Sequence, residues 1–100
     1  MDPQAILDVI QAHEDSFRHC YETELERNPR LAGKVVLSWT IAEDGAVEQT
    51  NVESSSLHDV TTESCLKARL RPLQFPPPTG GGRVRVQFPF VFEAVTGESS

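Results

Sequence analysis

The sequence predicts an α+β fold, a small three-stranded antiparallel sheet with two helices packed on one face, in the order α-β-β-α-β. Three observations predict it. Apolar residues recur every three or four positions over residues 2–27 and again over 60–71, the period of amphipathic helices. They alternate with polar residues over 34–41 and 83–92, the period of strands with one buried face. The turn string Glu43-Asp44-Gly45-Ala46 joins the first alternating stretch to a further one, as in a hairpin. One hundred residues suffice for a single domain with one modest core, which sets the size of the sheet.

The first helix is expected as one continuous rod from Asp2 to about Arg27. Ile6, Val9, Ile10, His13, Phe17, Cys20, Tyr21 and Leu25 share its stripe. Asp2 is the expected N-cap and Pro3 suits the first turn. Asn28-Pro29 stops the helix, because a residue before proline is pushed out of the α region. Such a rod would be about 36 Å long and needs a broad apolar surface beneath it.

Residues 34–41 supply that surface, with Val35, Leu37, Trp39 and Ile41 on one face and Lys34, Ser38 and Thr40 on the other. Gly45 is free to take positive φ in the turn. The second arm, 47–53, is polar, and an edge position or irregular pairing is expected there. Asp59 is a good N-cap for the second helix, 60–71, whose inner side would hold Thr62, Cys65, Leu66, Leu70 and Leu73. Pro72 ends it, Phe75-Pro76-Pro77-Pro78 is extended, and Thr79-Gly80-Gly81-Gly82 turns the chain. In the final strand Val84, Val86, Phe88, Phe90 and Phe92 face inward, and Arg83, Arg85, Gln87 and Pro89 face outward. Pro89 cannot donate to a ladder, so one side of this strand is expected to be open.

Charge excludes some functions. Nine basic residues against fifteen acidic give −6, the wrong sign for a nucleic-acid binder. The balance is uneven: −4 over 1–31, −4 over 32–59 and +2 over 60–100. No apolar run exceeds three residues, as in Val35-Val36-Leu37, too short to span a bilayer. Met1-Asp2-Pro3-Gln4 lacks the basic start and apolar stretch of a signal peptide.

Catalytic, metal and cofactor motifs are not found. His19 and Cys20 are adjacent, so on a helix they point about 100° apart and cannot chelate together. Cys20 sits on the buried stripe, a poor place for a nucleophile beside His13, His19 or His58. Gly80-Gly81-Gly82 precedes a strand rather than the helix N-terminus a phosphate loop requires. The two cysteines have two readings. If both helices cover one sheet face, Cys20 and Cys65 can meet, and a cross-link would be worth roughly 4 kcal/mol in loop-closure entropy. Two buried free thiols acting as small hydrophobes fit the same pattern.

An interaction site remains. The final strand, with Arg83, Val84, Arg85, Val86, Gln87, Phe88, Pro89 and Phe90, offers an edge to which a peptide strand can add. Its arginines would favour an acidic partner. They would equally guard the edge against aggregation.

The ordered set Ile10…His13…Phe17-Arg18-His19-Cys20-Tyr21-Glu22…Asn28-Pro29…Lys34-Val35, Trp39-Thr40-Ile41, Asp44-Gly45-Ala46-Val47, Val52-Glu53-Ser54-Ser55-Ser56-Leu57, Cys65, Phe75-Pro76 and Gly80-Gly81-Gly82 resembles a TonB C-terminal-like family. Within it, the string is similar to the myxobacterial AgmX/PglI C-terminal domain associated with gliding motility. The resemblance covers residues 4–93 and leaves 94–100 as a polar tail. It departs where Leu73 stands for the tryptophan common before Phe-Pro, and where Val60 stands for a proline that often begins the second helix.

The resemblance implies a non-enzymatic periplasmic module at the end of a longer protein anchored in the inner membrane. It implies a Cys20–Cys65 disulfide, since both positions recur in the family, and no cofactor. It further implies a partner: a segment of an outer-membrane or periplasmic protein paired with the final strand, with force or energy supplied by an inner-membrane motor for motility or transport. A homodimer formed through the same strand edge, and a thiol-based redox sensor at Cys20 or Cys65, are the alternatives.

Overall fold

Six elements follow one another in the computed structural model, which describes residues 2–93: helices α1 (Pro3–Ala12) and α2 (Glu14–Leu25), strands β1 (Gly33–Ile41) and β2 (Val47–Ser55), helix α3 (Val60–Leu70) and strand β3 (Val84–Phe92). The expected tail at 94–100 lies outside the described residues. The three strands form one antiparallel sheet in the order β2-β1-β3, so the first strand is central and both partners are edges.

The expected rod of residues 2–27 is two helices. Asp2 caps the first as expected, its carboxylate accepting from the Gln4 N–H at 2.9 Å. The ladder then breaks at His13, whose backbone leaves helical geometry at φ −117° and ψ 17°. The His13 ring takes the Val9 carbonyl through Nδ1 at 2.9 Å. That carbonyl is the one the His13 N–H would reach in a continuous helix, and the N–H turns to Ile10 instead, at 3.0 Å. Ile10 and Phe17, on either side of the break, are both buried on the core side of the chain.

The core lies between the helices and one sheet face. Val35, Leu37, Trp39 and Ile41 are fully buried, and Val86, Phe90 and Phe92 close the same layer from β3. α2 lies over β3: Phe17 meets Phe90 at a ring-centroid distance of 4.9 Å, and Tyr21 stacks on Phe92 at 4.8 Å. Such aromatic pairs add about 0.5–1.5 kcal/mol each beyond the area they bury. α3 is capped by Asp59, which accepts from the Thr62 N–H at 3.1 Å, and turns Thr62, Leu66 and Leu70 inward. Cys20 and Cys65 are joined in a disulfide, Cα–Cα 5.7 Å, that ties α2 to α3.

β2 pairs irregularly, with register shifts between Val36 and Leu37 and between Ser38 and Thr40, and Gln49 takes φ +53°. The turn before it is clamped from afar. Phe75 donates its N–H to the Gly45 carbonyl at 3.0 Å, and the Gln74 amide reaches the Asp44 carbonyl. Gly45 stands at φ +90°, with the Phe75 carbonyl where a Cβ would project.

Candidate functional site

β3 pairs with β1 without interruption from Gly33–Phe92 to Ile41–Val84. Its open side can be read from β1. Lys34 turns both backbone groups toward β2, its N–H to the Ser56 hydroxyl at 2.9 Å and its carbonyl to the Ser56 N–H at 2.8 Å. Lys34 therefore exchanges no ladder bonds with Val91 opposite, and Val91 points its own N–H and C=O away from β1. By the two-residue period Pro89, Gln87 and Arg85 point the same way. Pro89 thus sits where its missing N–H costs the sheet nothing. The free edge presents donors at Arg85, Gln87 and Val91 and acceptors at all four residues, and among the described residues no strand covers it.

The helices wall this edge. A groove of about 260 Å³ lies between Leu7, Ile10 and Phe17 on the helix side and the run from Phe88 to Phe92 on β3. Beyond Arg18 a second hollow of about 210 Å³ continues between Tyr21, Glu22 and Leu25 and the end of β3 at Val91, Phe92 and Glu93. The Tyr21 hydroxyl donates to the Leu31 carbonyl. Burial first, and then the negative charge of Glu93, push this phenol above its ordinary value.

The strand residues expected at the site fall into three groups. Arg85, Gln87 and Pro89 lie along the outer side of the edge strand. Val84, Val86, Phe88 and Phe90 turn to the core side, where Phe88 and Phe90 also form the groove wall. Arg83 precedes the strand. The irregular β2 brings acidic neighbours to the arginines, and both side chains stay more than half exposed. Arg83 pairs with Glu48 at 3.2 Å, and Arg85 reaches both Glu53 at 3.2 Å and the Ser38 hydroxyl at 2.9 Å. Ser38, held by Arg85, and Thr40, which donates to Gln49, lie on the face opposite the core and are nonetheless buried. Leu7, Ile10 and Phe17 carry no functional signature of their own. Their only signal in the sequence is the helix stripe that includes Ile10 and Phe17.

Among the described residues, no cluster of three or more His, Cys, Asp or Glu side chains is placed to hold a metal ion. No described helix is long and apolar enough to cross a membrane.

The fold is shared with solved domains. The solution structure of the Helicobacter pylori TonB C-terminal domain (residues 194–285) superposes with a TM-score of 0.60 at 22% identity, covering 86% of this chain and 94% of that one. The Pseudomonas aeruginosa TonB C-terminal domain superposes with a TM-score of 0.55 at 20% identity, covering 72% and 73%. No curated protein sequence matches the chain. The family model for the Gram-negative bacterial TonB protein C-terminal matches residues 24–94, from the end of α2 past the last strand. With more than half its length matched and the sheet order and helix placement described above, the chain belongs to the TonB C-terminal family.

Proposed function

We propose that this domain is a non-enzymatic periplasmic module that binds a segment of an outer-membrane protein as a fourth strand on the free edge of β3. Domains of the TonB C-terminal family are periplasmic modules that bind partner proteins. The observation that carries the reading is the phase of the β3 ladder. Arg85, Gln87 and Val91 direct their backbone donors into open space beside an apolar groove. In this reading the chain is one domain of a longer protein anchored in the inner membrane, which couples a motor there to the outer-membrane partner. The resemblance to the AgmX/PglI C-terminal domain brings in gliding motility, beside transport, as the setting.

Self-pairing through the same edge is the weaker alternative. A two-fold antiparallel dimer across Pro89 would lack two donors, one from each copy, whereas a single added strand meets only one gap. The test is an NMR titration of the isotopically labelled chain with peptides from candidate outer-membrane partners. Binding by strand addition shifts the Arg85, Gln87 and Val91 amides and slows their hydrogen exchange. Unchanged β3 amides with every peptide, alongside a concentration-dependent dimer, would overturn it.

A further inference from the structure

The two hollows beside β3 share Arg18, Val91 and Phe92 and so form one trough along the strand. The part next to Phe88 and Phe90 is floored by Leu7, Ile10 and Phe17 and is apolar. Its rim charge is balanced, because Arg18 pairs with Glu14 at 3.5 Å and with Asp15 at 3.3 Å. The part next to Phe92 is lined by Arg18 as well as by Glu22 from α2 and Glu93 from the end of β3. Arg18 is held by Glu14 and Asp15, and among the described residues neither Glu22 nor Glu93 has a basic partner within ion-pair distance. The Glu93 charge acts on the Tyr21 phenol, which places that carboxylate's field inside the trough. The arginines nearest in sequence, Arg83 and Arg85, are turned across the outer sheet face to Glu48 and Glu53.

We infer that the β3 edge takes an extended peptide segment with an apolar side chain over Phe17 and a lysine or arginine at the end beside Glu22 and Glu93. The inference rests on the strand-addition reading and fixes the chemistry of the strand that is added. The spacing follows from the two periods. Phe17 and Leu25 are eight residues apart on α2, about 12 Å of helix. Four strand residues cover about 13 Å, and side chains on one face recur every second residue. The apolar and basic positions therefore fall two or four residues apart, on the same face of the incoming strand. Charge complementarity thus selects a basic segment, the reverse of what the sequence of β3 alone suggests.

Two octapeptides of alternating valine and threonine, identical except for one residue near the end, lysine or glutamate, provide the test against the full labelled chain. The lysine peptide is expected to bind roughly fivefold to tenfold more tightly, from exposed charge pairs at the upper end of their usual strength. The difference should shrink as salt is added. The double variant Glu22→Lys, Glu93→Lys should reverse the order, and Glu22→Gln, Glu93→Gln should abolish it, with dispersed amide spectra in both. Equal or tighter binding of the glutamate peptide, with β3 amides shifted, overturns the basic preference and leaves strand addition standing. If neither peptide shifts Arg85, Gln87 or Val91, strand addition itself falls and the inference falls with it.

Discussion

The Tyr21 hydroxyl donates to the Leu31 carbonyl, so the middle of α2 is tied to the residue that leads into β1. Tyr21 is the sole tyrosine of the chain, and phenolate absorbance reports on it alone. Burial and the Glu93 charge hold its proton beyond the ordinary value of 10.0. Above that pH the unfolded chain binds fewer protons at this site than the folded one, so stability falls as pH rises. Below it the site contributes no pH dependence. Tyr21→Phe is expected to cost about 1 kcal/mol at neutral pH through the lost hydrogen bond. It should also flatten the alkaline limb of the stability curve, as read by urea unfolding at a series of pH values.

The phase of the β3 ladder predicts alternating hydrogen exchange in the domain without ligand. Amides of Val86, Phe88 and Phe90 face β1 and should be protected, while those of Arg85, Gln87 and Val91 should exchange rapidly. Uniform protection along the strand would mean that something already covers the edge.

The fold was readable where one period ran undisturbed. Val35, Leu37, Trp39 and Ile41, and Val84 to Phe92, alternate cleanly and became the two strands that meet at the core. The break at His13 was not readable, because Ile10, His13 and Phe17 keep helical spacing across it. At the break the His13 ring, rather than its N–H, meets the Val9 carbonyl, an exchange that spacing does not encode. The edge was signalled by Pro89, yet the trough beside it joins Leu7 to Phe88 and exists only after folding. Its charge was hidden for the same reason: Arg83 and Arg85 dominate the local sequence, while their partners arrive from β2 and the unpaired acids from α2 and the end of β3.

The Cys20–Cys65 bond, whose ends are 45 positions apart, should contribute about 4 kcal/mol by restricting the unfolded chain. The double variant Cys20→Ala, Cys65→Ala is expected to lose that amount in urea unfolding, a large share of the stability of so small a domain. Thiol titration of the unreduced, denatured chain should find no free thiol. Two thiols would exclude the bond from the protein in solution.

Gly45→Ala should destabilise by at least about 2 kcal/mol, from positive-φ strain together with a clash. Its Cβ would lie 1.9 Å from the Phe75 carbonyl oxygen. Gly81→Ala separates the two causes, since Gly81 has φ +79° but open space around it. It should cost only the conformational part, about 1 kcal/mol. Chemical denaturation of the two variants side by side measures the difference.

The disulfide also governs how the domain answers to tension. Both β1 and β2 lie between Cys20 and Cys65, whereas β3 lies outside. Pulled between Asp2 and Glu93, the oxidised chain can lengthen only through residues outside that loop, and roughly 150 Å of contour stays locked behind the sulfur bridge. Along the covalent chain, force from the amino-terminal side passes through the bond from α2 into α3 rather than along β1 and β2. It then reaches the Gln74–Phe75 clamp on the β1–β2 turn and, beyond it, β3, the strand whose other side is open.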